Sequence, residues 1–155
     1  MKRALFALML LATPAMAHDQ MAGTLHIIHP SIPLPAGMAK SAAGYVTISN
    51  EGETPEELVG VRSPFAASTT LHTTIFEDGI AKMRPVIGVP IAPGEVINLE
   101  PGGMHVMFMG LTGTVAEGDM IPATLIFRNA GEVAVEFMID PADGVDHATM
   151  DHSGH

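Results

Sequence analysis

The chain has 155 residues, 47% hydrophobic and 15% charged, with 17 acidic against 7 basic side chains and a formal net charge of −10. That is enough apolar material for one globular domain with a sizeable core. The acidic balance excludes the basic footprint of a nucleic-acid binder, and an anionic membrane surface would repel it. Sixteen Gly, twelve Pro and 5% aromatics argue against a helix bundle and for a turn-rich β fold. With no Cys, disulfides, thiolate catalysis and Cys-ligated redox centres are all excluded. Twelve Met and eight His stand against that absence.

In chain order, Lys2 and Arg3 precede an apolar stretch from Ala4 to about Ala12, and Ala15-Met16-Ala17 forms an A-x-A cleavage site. Residues 1–17 therefore read as a secretory signal peptide cut after Ala17. The apolar run is too short to span a bilayer, and no Cys follows it to carry a lipid, so no membrane anchor is expected. Cleavage would leave His18 at the new N-terminus, where its α-amine and imidazole can together chelate Cu(II). The expected organisation is a domain over 18–139 and a flexible, polar, His- and Met-containing tail over 140–155.

Short β-like runs then alternate with turn signals. Strands are predicted at Thr24–His29, Gly44–Ser49, Glu57–Val61, Thr69–Ile75, Ala81–Val86, Val96–Leu99, Met104–Met109, Ala123–Arg128 and Val133–Ile139. Turn residues separate them at Asn50-Glu51-Gly52, Glu77-Asp78-Gly79, Pro93-Gly94, Pro101-Gly102-Gly103, Glu117-Gly118-Asp119 and Asn129-Ala130-Gly131. No long 3.6-residue period appears, so helix should be minor. The pattern predicts an all-β, antiparallel Greek-key β-sandwich.

The sharpest local feature is Met104-His105-Val106-Met107-Phe108-Met109. In a strand, His105, Met107 and Met109 share one face, and Met104, Val106 and Phe108 the other. Upstream, Phe76-Glu77-Asp78-Gly79 resembles a four-residue hairpin loop. Pairing Ile75 with Ile80 across it sets His72 opposite Met83, with Cβ atoms about 5 Å apart. Two imidazoles and two thioethers form a soft donor set that suits Cu(I) rather than Zn(II), Mg(II) or Ca(II). Without a thiolate, a blue-copper electron-transfer centre is excluded. Met is also a common core filler, so from these residues alone a chance packing of Met beside His stays open. His26 and His29 read as surface or strand-edge residues.

His72, ten residues, Met83, twenty-one residues, His105, one residue, Met107: this spacing resembles the H-x10-M-x21-H-x-M pattern of the periplasmic copper chaperones called PCuAC. Flanking text is similar too, in Ser63-Pro64, Leu71-His72, Met83-Arg84-Pro85-Val86, Pro101-Gly102-Gly103, His105-Val106-Met107-Phe108-Met109-Gly110-Leu111 and Glu117-Gly118-Asp119. The likeness runs from about Leu25 to Ile139. It implies a cupredoxin-like (Ig-like) sandwich that binds Cu(I) through His72, Met83, His105 and Met107. It also implies delivery of copper for assembly of the CuA centre of cytochrome c oxidase, to an oxidase subunit or to another assembly factor. Many members carry Met after the first His; here it is Thr73, which removes an auxiliary donor but none of the four.

Some members carry a His/Met-rich extension, which His147, Met150, His152 and His155 resemble; neutral imidazoles there can capture Cu(II), and Met150 can help hold Cu(I). The expected protein is a non-enzymatic, periplasmic copper carrier. The alternatives are copper sequestration for tolerance without an oxidase partner, and a copper oxidase, dismutase or reductase. For an enzyme, no bridging His cluster or acid/base pair is visible.

Overall fold

The computed structural model describes residues 19–143. Its strands are β1 (Asp19–Ala22), β2 (Leu25–Pro33), β3 (Ser41–Asn50), β4 (Glu56–Arg62), β5 (Ala66–Glu77), β6 (Ile80–Pro85), β7 (Val89–Ile91), β8 (Val96–Leu99), β9 (Met104–Leu111), β10 (Met120–Phe127) and β11 (Gly131–Asp140), with no helix among the described residues. Alternation explains most of them. In β11, Val133, Val135, Phe137 and Ile139 are buried while the residues between them face outward. In β3, Ala42, Val46, Ile48 and Asn50 point inward by the same two-residue period.

The hydrogen-bonded order runs β6-β5-β9-β3-β2-β11-β10-β4-β7, with β1 added on β2 and β8 on β3. β3 belongs to both layers of the sandwich: Ser41–Gly44 pair with β9, and Val46–Ser49 pair with β8. The layers meet through their aromatic rings. Phe108 of β9 packs edge-on against Phe137 of β11 at 5.6 Å and against Phe65 at 6.1 Å. Gly44 makes that meeting sterically possible, because a Cβ there would lie 2.6 Å from the Phe108 ring and 3.1 Å from that of Phe137.

The sandwich has one departure from the antiparallel pattern. β2 and β11 run parallel, from Ser31–Met138 to Pro33–Asp140. β2 reaches this pairing after a bulge between Ile28 and Ser31, where His29 adopts φ 45°. β1 and β7 were not expected: β1 is exposed, and three residues give β7 too little pattern to read. The last strand also extends one residue past the expected domain end, since Asp140 closes β11 and its carbonyl accepts the Leu34 amide at 2.8 Å. The leader (1–17), His18 and the tail donors His147, Met150, His152 and His155 lie outside the described residues.

The deeply buried amide side chain of the frame is satisfied by bonds to the chain. Asn50, 1% exposed, donates to the carbonyls of Thr54 and Ile91 and accepts the amide of Gly52. Substituting Gly44→Ala is expected to force the Phe108–Phe137 pair apart and cost about 1–3 kcal/mol of stability. Urea unfolding of the variant measures this, and an unchanged midpoint would mean that the aromatic contact is not sterically tight.

Candidate metal centre

The hairpin that carries Met83 turns more tightly than expected. Glu77 pairs with Ile80, so the loop is the two residues Asp78-Gly79, with φ 54° and 76°. Both values are those of a type I′ turn, whose strong preference for Asp-Gly outweighs a longer loop. The pairing shifts accordingly: His72 stands opposite Pro85, and Met83 opposite Thr74. A shift of two residues preserves the face. Met83 therefore remains on the His72 side, as a diagonal neighbour rather than a direct partner. Beyond Thr73 and Thr74, which reach Met104 and the Gly103 carbonyl, the hairpin overhangs β9. On the opposite face Glu77 clamps Lys82 at 2.6 Å and Arg84 at 2.8 Å.

The β5–β9 ladder supplies the central contact. His72 is the direct partner of His105, and Thr70 of Met107. Leu71, Val106 and Phe108 fill the core from these strands, so the other face carries His72, His105, Met107 and, across the hairpin, Met83. The two imidazole centroids are 5.8 Å apart with the rings at 80°. One ion about 2 Å from a nitrogen of each ring can touch both at that separation. Met83 and Met107 flank the His row on opposite sides.

Exposure is graded across this face. His105 is 3% exposed, His72 and Met107 are half-buried, and Met83, on the fully exposed edge strand β6, is 59% exposed.

Each imidazole is held by a group two residues earlier on its own chain. His105 Nδ1 lies 3.2 Å from the Gly103 carbonyl, which also accepts the Thr74 amide, and His72 Nε2 lies 3.1 Å from Thr70 Oγ1. The remaining nitrogens, His72 Nδ1 and His105 Nε2, are buried without any hydrogen-bond partner. Buried polar atoms are ordinarily paired, so two orphans on adjacent rings mark a place suited to an electrophile. Desolvation, and then the neighbouring His105, hold the His72 pKa below its ordinary 6.5 and favour the neutral, ligating form. Among the described residues no group of three or more His, Cys, Asp and Glu is arranged to hold a metal.

Thr70 and Gly103 were not singled out as supporting groups in the sequence, although each sits at i−2 of a candidate imidazole, Thr70 on the same strand face and Gly103 through its backbone carbonyl just before β9. Met109 lies on the site face, opposite Ser68 and Ser41. Thr73 and its partner Met104 take the other face, and Met104 packs on the core. His26 lies between Asp19 at 3.6 Å and Glu51 at 3.5 Å, and His29 contacts Asp140 at 3.1 Å. Both fit the surface role expected of them.

A family model described as LpqE-like, a lipoprotein family, matches residues 8–139. The chain belongs to the LpqE-like family. Among curated relatives, the lipoprotein Lxx21020 of Leifsonia xyli subsp. xyli is 32% identical over 110 residues, covering 70% of this chain and 66% of its own length. The chain thus spans just under two thirds of that relative. Among solved structures, the apo PCuAC domain of PmoF1 has a TM-score of 0.70 at 31% identity, covering 80% of this chain and 99% of that domain. The Cu(I) form of DR1885 from Deinococcus radiodurans has a TM-score of 0.62 at 26% identity, covering 81% and 83%. The PCuAC resemblance drawn from sequence is therefore matched by the fold of this LpqE-like chain.

The lowered His72 value has a measurable sign. Between that value and 6.5 the unfolded chain binds more protons than the folded one, so stability rises with pH there. His72 therefore contributes stability that is present above about pH 6.5 and lost as pH falls through its lowered folded value. An NMR titration of the metal-free protein is expected to place the His72 midpoint below 6.5, and a midpoint at or above it would contradict the desolvated setting.

Proposed function

We propose that this protein is an exported, periplasmic copper chaperone that binds one Cu(I) through His72, Met83, His105 and Met107. The observation that carries this reading is the common face: two partnerless imidazole nitrogens in one row, with a thioether on either side. Thioether and imidazole donors select Cu(I) over harder divalent ions. The Cu(I)-bound relative of the same fold supports the choice of ion. Residues 1–17 serve as the export signal on this reading, and the carrier has no catalytic cycle of its own. His147, Met150, His152 and His155 form a secondary site for Cu(II), or for Cu(I) with the help of Met150.

Copper would be passed on by ligand exchange, with no change of oxidation state. The exposure gradient sets the order: an incoming donor reaches the ion on the side of Met83, and His105 lets go last. The proposed acceptor is the CuA centre of cytochrome c oxidase, through an oxidase subunit or another assembly factor. A deletion strain is expected to lose oxidase activity that added copper restores. A strain that becomes copper-sensitive with normal oxidase would point instead to sequestration.

The site itself is tested by titrating the protein against a competing Cu(I) chelator. Met83→Ala and His105→Ala are each expected to weaken binding by at least about tenfold, since loss of even an outer-shell partner costs about 10–100-fold. Unchanged affinity in both variants would reject the four-donor site. Because imidazole binds metal only when neutral, affinity should fall as acid protonates the rings, and a flat profile from neutral pH to about pH 4 would exclude them as ligands.

A further inference from the structure

The copper reading leaves open which nitrogen of each imidazole meets the metal, and the hydrogen bonds behind the rings answer that. A neutral imidazole carries one N–H and one lone pair. The Gly103 carbonyl can only accept, so the His105 proton sits on Nδ1, and Nε2 is the lone-pair atom. The corresponding contact of His72 is made by the opposite nitrogen, Nε2, to the Thr70 hydroxyl.

We infer that Thr70 is a positioning residue: its Oγ1 accepts the Nε2 proton of His72 and reserves Nδ1 for the metal, so that one ion is held by unlike nitrogens, Nδ1 of His72 and Nε2 of His105. This rests on the proposed Cu(I) site. The alternative tautomer would strand a buried N–H at Nδ1, which has no acceptor around it and which a cation cannot satisfy. Thr70 is well placed for the task. It is the direct partner of Met107 on β9 and lies two residues before His72 on the same face, so it touches the row between two candidate donors. Its β-branched side chain is stiff about χ1, which keeps the hydroxyl at a fixed place under the ring. Outer-shell groups of this kind set tautomer and ring orientation in metal sites generally.

The experiment is long-range proton–nitrogen NMR of the imidazoles, recorded on the metal-free and the Cu(I)-loaded protein without oxygen. Before loading, His72 is expected as the Nε2–H tautomer and His105 as the Nδ1–H tautomer. Cu(I) should shift Nδ1 of His72 and Nε2 of His105. Thr70→Val keeps the β-branched shape and removes the hydroxyl; it should mix the His72 tautomers and weaken Cu(I) by about 10–100-fold. Thr70→Ser should restore both the spectrum and the affinity, and equal thermal midpoints would separate positioning from a folding defect. The inference is overturned if Cu(I) shifts Nε2 of His72, or if Thr70→Val leaves tautomer and affinity unchanged. If Cu(I) shifts neither ring in the wild-type chain, the copper site itself is wrong.

Discussion

β5 and β9 pair antiparallel from Ala66–Leu111 to Thr73–Met104, and this ladder puts one imidazole directly across from another. Everything at the candidate centre depends on that register. A slip of one residue would turn His105 and Met107 into the core and push Val106 and Phe108 out. Burial forbids the slip: Val106 and Phe108 are completely inaccessible, and Phe108 is locked against Phe137 over the bare backbone of Gly44. The apolar face of β9 thereby fixes the position of its polar face, and the core of the sandwich acts as the jig for the site.

That site carries a cost which the other described residues avoid. Asn50 is as deeply buried as His105, yet its amide is fully engaged with Thr54, Ile91 and Gly52. His72 Nδ1 and His105 Nε2 have no such partners. Leaving a buried polar atom unpaired costs about 1–3 kcal/mol. Two such atoms on neighbouring rings make this row less favourable than the surrounding frame unless a further group engages them.

Much of this was legible in the sequence because it rests on period-two patterns. All nine expected strands are present, and parity alone pairs His72 with Met83 and His105 with Met107, while the β5–β9 register that unites the two pairs on one face was not legible. Parity also explains why the misjudged loop did little harm: Asp78-Gly79 closes the hairpin in two residues rather than four, and a two-residue shift returns every side chain to its side. The Asp-Gly pair was the available signal for the tighter turn. Other features were not readable. The parallel pairing of β2 with β11 joins distant segments through a bulge at His29 that no local pattern announces. The roles of Thr70 and Gly103 depend on which ring nitrogen faces them, and a residue string says nothing about ring orientation.

Met83 sits on an edge strand with more than half its surface in contact with solvent. Thioether sulfur is oxidised to a sulfoxide where oxidants can reach it, and the product is polar and no longer a soft donor. The exposure that would let an acceptor reach Met83 on the proposed reading thus also lets peroxide reach it, while the more buried imidazole of His105 is shielded. On the proposed copper reading, a single added oxygen atom at Met83 would leave three donors of the four, and repair by a sulfoxide reductase would be enough to restore the fourth.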